Sequence, residues 1–262
     1  MGSHIEVDLQ PGRSYHVYNR GNNSQQAFFS EKDYLTFLEL MQIFILPIAD
    51  LYAYCLLRNH FHFALKVKKN RVYKYNIKDA PKEKIEKWAC IEKPDNYKER
   101  GLKTPDPSKH FSHMFNSYAK YINKKYDRHG SMFEKPFRRR GIHGKNDLKN
   151  VIVYVNNNAV HHRIANSIIE YPWSGYWDVV SAGMSTNAAR SSDAGRLGGA
   201  ARSSDAARLG RVDKDADGLK NDATKLNSLI AVQDVLDLFD GVDGFKKMHL
   251  DENSRLQDDL EG

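Results

Sequence analysis

The alternation of hydrophobic and polar positions divides the first part of the chain into two strands and a helix. Residues 14–20 (SYHVYNR) alternate like a half-buried strand and end at a Gly-Asn-Asn turn. Residues 31–45 carry apolar side chains at helical spacing, with Ser30 as a candidate N-cap. A second strand-type run at 51–57 leads into the alternating stretch 60–65, HFHFAL. The pattern therefore predicts the order strand, helix, strand.

Histidines occupy the polar positions of that last alternating stretch. Because successive side chains of a strand point to opposite faces, His60 and His62 share one face, about 6–7 Å apart, while Phe61 and Phe63 face a core. Two imidazoles placed in this way can bind a divalent ion. The pattern alone is weak, since most such pairs bind no metal, and a catalytic ion needs a third ligand and room for substrate.

A candidate third ligand lies in a helix predicted over residues 145–159. Tyr154 and Asn158 are four residues apart and would stack on one face, where the carboxamide oxygen of Asn158 could complete a His-His-Asn site beside a phenol. The side chains expected to face the core are Ile152, Val155 and Ala159, and those expected on the other side are Val151, Tyr154 and Asn158. The alternative is a surface tyrosine near a frayed helix end.

The net charge of +7 is distributed unevenly along the chain. Residues 1–183 contain 29 Lys/Arg against 18 Asp/Glu, whereas residues 184–262 contain 11 against 15. A basic, aromatic-rich body suggests a nucleic-acid partner, although solvated lysines that only maintain solubility would give the same charge. The candidate phosphate contacts are Lys120, Lys124, Arg138, Arg139 and Arg140, and the candidates for unpaired bases are Tyr18, Asn19 and Arg20.

Cysteine content and hydropathy indicate a cytoplasmic protein, which would lie at the bacterial nucleoid if it binds DNA. Cys55 and Cys90 are the two cysteines, which fits a reducing compartment and argues against a disulfide scaffold. No stretch approaches the roughly 20 apolar residues needed to cross a bilayer. We therefore expect no membrane partner.

Composition predicts four regions: an N-terminal arm with a tag-like start (1–13), a main domain (14–180), a flexible linker (181–223) and a helical tail (224–262). Within the main domain, the charged, proline-interrupted residues 68–109 look like an insertion with one short helix near Lys82–Trp88. The linker contains a twelve-residue repeat, at 189–198 and 201–210, and the tail an amphipathic helix at about Thr224–Phe239. The EF-hand-like start at Asp213 has Thr224 where glutamate is required, so calcium is not expected.

Five ordered blocks resemble one known family. They are YHVYNRG at 15–21, LRNHFHF at 57–63, SHMFNSYAKYINKKYDRHGSMFEKPFRR at 112–139, YVNNNAVHH at 154–162 and YPWSGY at 171–176. In order and spacing they resemble the REP-associated tyrosine transposases of the HUH superfamily. The resemblance spans about residues 14–177 and does not include the tail.

This resemblance implies an α+β fold with a ferredoxin-like antiparallel sheet and helices. It implies that His60, His62 and Asn158 are metal ligands and that Tyr154 is the nucleophile. One departure is that Ala159 stands where the family usually has proline, which makes the position of Asn158 less certain. His161 and His162 are weaker candidates for ligands.

The resemblance also implies a metal-dependent single-stranded DNA endonuclease and strand transferase. Tyr154 would form a 5′-phosphotyrosine link with Mg²⁺ or Mn²⁺ as cofactor, on hairpin DNA of the REP type, in a monomer or homodimer. Two alternatives stay open: a replication-initiator or relaxase-like HUH nuclease, and a catalytically silent DNA-binding protein derived from a transposase.

Overall fold

The computed structural model describes residues 7–79, 81–194 and 229–261. Its strands are β1 (Ser14–Arg20), β2 (Ala49–Leu56), β3 (His60–Val67), β4 (Arg71–Tyr73), β5 (Cys90–Glu92) and β6 (Arg138–Ile142). Its helices are α1 (Glu31–Phe44), α2 (Lys84–Lys87), α3 (Pro107–Lys125), α4 (Gly144–Asn156), α5 (Asn158–His161), α6 (Tyr176–Ala194), α7 (Val232–Leu238) and α8 (Val242–Glu261).

Four strands form one antiparallel sheet in the order β2-β3-β1-β6. Helix α1 connects β1 to β2, and α3 lies between β3 and β6, so the main elements follow the order β-α-β-β-α-β. This topology is ferredoxin-like, and the predicted fold class is confirmed.

One face of the sheet carries the hydrophobic core that the alternation predicted. Phe61 and Phe63 are fully buried there. The ring of Phe61 lies 5.1 Å from Phe37 of α1 and 5.5 Å from Phe115 of α3, measured between centroids. Both helices therefore pack on this face because β3 presents an apolar side chain at every second position, two of them aromatic.

A buried carboxylate joins α1 to α3. Asp33 accepts hydrogen bonds from the backbone amides of Phe29 and Ser30, and from Lys125 Nζ at 2.7 Å. The hydroxyls of Tyr121 and Tyr126 also donate to it. Burial by itself would raise the pKa of Asp33, but the hydrogen bonds to its charged form outweigh burial and lower the pKa.

The opposite face of the sheet carries the two histidines of β3. In the β1–β3 register His62 lies opposite Tyr18 and His60 opposite Arg20, and in the β1–β6 register Tyr18 lies opposite Arg138. Directly opposed residues project from the same side of a sheet. Histidines, tyrosine and arginines therefore share a face, and α4 packs against it.

The insertion 68–109 has secondary structure of its own. Strands β4 and β5 pair in a two-stranded sheet, and the short helix predicted near Lys82–Trp88 is α2. The ring of Trp88 lies 5.2 Å from Phe44 and 4.5 Å from His113, which fixes the insertion to α1 and α3.

Helix α6 continues to Ala194, past residue 181 where the flexible linker was predicted to begin, and the linker stays a prediction. Gly183 allows a close contact between α6 and α8, because a Cβ at this position would lie 2.8 Å from Val242 Cβ. Residues 195–228, with most of the repeat and the EF-hand-like stretch, lie outside the described residues. No described helix is both long and apolar enough to cross a membrane.

The tail docks on the main domain through two helices, whereas the sequence predicted one. The described part of the predicted helix at Thr224–Phe239 is α7, and α8 follows after a turn at Gly241. The backbone amide of Ala231 donates to the carbonyl of Leu51 at 2.8 Å, next to the bridge between Ile230 and Leu51. This contact extends the edge of the sheet at β2.

Candidate active site

Three histidines from two parts of the chain converge at one end of the sheet. His60, His62 and His162 each place a ring nitrogen within 4.8 Å of the other two, and the Nε2 atoms of His60 and His162 are 3.3 Å apart. Two imidazole nitrogens on one tetrahedral ion would be about 3.4 Å apart. His60 and His162 therefore match the spacing of two ligands on one ion, and a ring nitrogen of His62 lies within 4.8 Å of both.

Burial keeps these imidazoles neutral. Burial is the larger cause and the neighbouring histidines add to it, and together they lower the pKa of His60 to about 4 and of His62 to about 2. The pKa of His162 is lowered by burial as well. A neutral imidazole has a free lone pair, which a metal ligand requires.

Hydrogen bonds outside the cluster orient two of its rings. His60 Nδ1 donates to Asn59 Oδ1 at 2.7 Å, which leaves the lone pair on Nε2. His62 Nδ1 is 2.9 Å from Nε2 of His16, a buried residue of β1. If His62 binds an ion through Nε2, its Nδ1 carries the proton and donates to His16. The pKa of His16, lowered by burial and by Arg140 to about 4, keeps His16 a neutral acceptor.

Tyr154 lies beside this cluster. Its ring is 5.9 Å from the ring of His62 and 5.7 Å from that of His16, and it stands nearly perpendicular to both. The side chain is 39% exposed, so a substrate can reach it. The tyrosine ring therefore lies next to the imidazoles of His62 and His16, although Tyr154 does not line the cavity into which the cluster opens. The ring of His161 is 5.1 Å from Tyr154 on another side.

Asn158 is placed differently from His162. Its side chain is fully buried, its Nδ2 donates to the backbone carbonyl of Tyr154 at 3.1 Å, and its Oδ1 has no hydrogen-bond partner among the described residues. It does not line the cavity that the cluster opens into. The predicted role of Asn158 as a ligand stays a prediction, while His162, the weaker candidate, joins the cluster.

The end of α4 explains this difference. The helix stops at Asn156 and resumes at Asn158, so Tyr154 and Asn158 do not stack on one continuous face. Val151, expected on the same side of the helix as Tyr154 and Asn158, is buried. On the far side of α4, His249 of α8 accepts a hydrogen bond from Asn156 Nδ2 at 3.1 Å. The tail therefore packs against α4.

A cavity of about 520 Å³ opens next to the cluster. Its lining includes His60, His62 and His162 together with Tyr18, Asn19, Arg20, Glu134 and Arg138. Arg20 and Arg138 both contact Glu134, and Asn19 Nδ2 donates to the Glu134 carbonyl. The three residues predicted to contact unpaired bases thus line the cavity at the cluster. The side chain of Asn19 is already hydrogen-bonded to the segment that precedes β6.

The other basic candidates are dispersed. Arg138 and Arg140 project on the histidine face of β6, whereas Arg139 projects on the opposite face. Arg140 pairs with Asp147 at 3.1 Å. Lys120 lines a separate cavity of about 860 Å³ with Arg139, and Lys124 is exposed on α3. The arginine triplet is therefore divided between two surfaces.

Fold and site together define an α+β, ferredoxin-like domain with a histidine cluster beside an exposed tyrosine. No family model matches the chain, and no curated protein matches it. One solved structure that is similar is that of a REP-associated tyrosine transposase bound to a REP hairpin, at 12% sequence identity and a TM-score of 0.42, covering 81% of this chain and 99% of that one. A likeness of this size does not establish a function, which has to be inferred from the geometry of the site.

Proposed function

We propose that this protein is a metal-dependent endonuclease and strand transferase of single-stranded DNA, with Tyr154 as nucleophile. The observation that carries the proposal is an exposed phenol beside the cluster of three imidazoles, with its ring 5.9 Å from that of His62. The cavity beside them contains arginine side chains suited to phosphates.

The reaction is a transesterification. Tyr154 Oη attacks the phosphorus of a phosphodiester, a P–O bond forms, and the P–O3′ bond breaks. The phenolic proton is lost and one is gained by the leaving 3′-oxygen, giving a 5′-phosphotyrosine link and a free 3′-hydroxyl. One phosphodiester replaces another, so the step is nearly thermoneutral and runs backwards when a 3′-hydroxyl attacks the link.

The cluster of His60, His62 and His162 would hold the ion. When bound, a divalent ion supplies positive charge to the phosphate oxygens as negative charge builds on them. A set of three imidazoles favours Mn²⁺ and other transition ions over Mg²⁺, which prefers oxygen ligands. Of the two predicted cofactors, Mn²⁺ is therefore the one that these residues suit.

The cavity would position the strand. The half-buried ring of Tyr18 lies in its lining, 5.6 Å from the ring of His62, where an unpaired base can stack on it. Arg20 and Arg138 can pair with phosphates on either side once they leave Glu134. We extend the proposal to hairpin DNA with a single-stranded foot, the substrate class that the sequence resemblance implies.

Covalent capture tests the proposal. A labelled hairpin oligonucleotide with a single-stranded extension is incubated with Mn²⁺ and the protein, and the adduct is resolved on a denaturing gel. We expect an adduct with the wild type and with Tyr97→Phe, a tyrosine of the insertion, and none with Tyr154→Phe. An adduct that persists in Tyr154→Phe would remove the nucleophile from this role.

A second comparison tests the cluster. His60→Ala combined with His62→Ala should abolish adduct formation while DNA binding, followed by fluorescence anisotropy, changes little. DNA binding without any adduct in the wild type would instead favour a silent DNA-binding protein.

A further inference from the structure

The insertion 68–109 contains a second cleft, with a volume of about 550 Å³. Its lining includes Tyr75, Asn76, Lys82, Lys87, Trp88 and Lys103. Strand β3 runs from His60 at the cluster to Val67, which is about 23 Å at 3.3 Å per residue, and the insertion begins where β3 ends. The cleft is therefore separate from the tyrosine site.

The aromatic wall of the cleft is anchored to the main domain. Trp88 packs against Phe44 and His113, and its ring also lies 5.0 Å from that of His110. The hydroxyl of Tyr73, another lining residue, is 2.8 Å from His110 Nε2. These contacts hold the rings of Trp88 and Tyr73 from the side of the main domain. The side that faces the cleft is left for a planar ligand to stack on.

The charge of the cleft is positive. Lys82, Lys87 and Lys103 are exposed, and none of the three forms an ion pair with an acidic side chain in the described part of the chain. No acidic side chain belongs to the lining. The whole insertion contains 13 Lys/Arg against seven Asp/Glu. This arrangement favours an anion.

Asn76 adds an unmet polar group. Its Oδ1 is shielded from solvent and has no hydrogen-bond partner among the described residues, and the side chain lines the cleft. A buried acceptor without a partner is unfavourable, and a ligand N–H would satisfy it once the amide turns toward the cleft. Aromatic rings, free ammonium groups and a lone amide oxygen together match a nucleotide: a planar base with N–H groups, joined to phosphate.

We propose that this cleft binds a nucleotide, as a second contact for the DNA strand that the tyrosine site processes. The proposal rests on the proposed function for the source of the nucleotide, since a free mononucleotide has the same chemistry. A base would stack on the aromatic wall while Lys82 and Lys103 contact its phosphates.

The experiment measures binding without chemistry. Tyr154→Phe protein in EDTA is titrated with a fluorescent single-stranded oligonucleotide and, in a second arm, with dAMP. We expect Tyr75→Ala to weaken oligonucleotide binding about tenfold and Lys82→Glu about fivefold. Lys98→Glu, with the same charge change at an exposed lysine outside the cleft lining, should stay within about twofold.

The arms separate the outcomes. Loss of oligonucleotide binding in the cleft variants but not in Lys98→Glu supports a DNA strand in the cleft. Loss confined to dAMP supports a free nucleotide. Cleft variants that retain the wild-type melting temperature and bind both ligands like Lys98→Glu would overturn the proposal. Adduct formation by Tyr154 on a short oligonucleotide is measured separately, so failure of the cleft and failure of the nucleophile are distinguishable.

Discussion

Replacing His16 by phenylalanine should weaken metal binding without removing a metal ligand. The substitution deletes the 2.9 Å hydrogen bond to His62 Nδ1 and keeps a ring of similar size near Tyr18 and Tyr154, whose centroids lie 4.9 and 5.7 Å away. Loss of such an outer hydrogen bond to a ligand typically costs about 10- to 100-fold in affinity, or about 1.4–2.7 kcal/mol. Calorimetric titration with Mn²⁺ measures the change.

His16→Gln is the matched control. The Gln side chain can place a hydrogen-bonding atom close to the position of the imidazole Nε2, so Mn²⁺ affinity should fall by no more than about threefold. A folded His16→Phe protein that binds Mn²⁺ as tightly as the wild type would show that His62 is oriented by packing alone, and the reasoning would be refuted.

Three further predictions concern pH and stability. Burial lowers the pKa of His60 to about 4 and of His62 to about 2, so Mn²⁺ affinity should vary less than about threefold between pH 8 and 6. Three ligands with ordinary imidazole pKa values would instead lose about 60-fold in Mn²⁺ affinity over the same range. Calorimetric titration at the two pH values distinguishes these outcomes. Burial lowers the pKa of His249 to about 4, so the unfolded state binds its proton first and this group alone should lower the free energy of unfolding by about 2.5 kcal/mol between pH 6.5 and 4. In urea denaturation, the fall for His249→Gln should be smaller than that of the wild type by about this amount, and an equal fall would contradict the prediction. Asp33→Asn should lower the free energy of unfolding by about 3 kcal/mol at pH 7. Because the pKa of Asp33 is lowered in the folded protein, the difference between variant and wild type should shrink as the pH falls below about 4. A difference independent of pH would exclude the charge as its cause.

Local periodicity predicted the elements that build the histidine face. The two-residue alternation at 14–20 and 60–65 matches β1 and most of β3, because a strand with one face on the core must alternate there. The pairing of β1 with β3 joins residues far apart in the chain, and its register does not follow from either pattern. His16 was missed for that reason, although its place two residues before Tyr18 puts it on the same face.

The third imidazole was ranked too low for a different reason. The sequence prediction continued one helix through Asn156–Asn158. In the structure α4 ends at Asn156 and α5 begins at Asn158, and the chain beyond this break places His162 at the cluster. Helix α8 was missed because nine of its twenty residues are charged. Its buried side chains include Phe245 and His249, and they can be identified as a buried face only once the contacts of α8 with α4 and α6 are known.

The segment from Tyr154 to His162 carries both the phenol and one imidazole of the cluster, while the other two imidazoles belong to β3. Occupancy of the cluster and the position of the phenol are therefore thermodynamically linked. An ion that bridges the segment to the sheet restrains the tyrosine, and a displacement of α4 that carries the tyrosine away must also withdraw His162. Under the proposed mechanism, the protein could not move Tyr154 away from the cluster without weakening its binding of the ion.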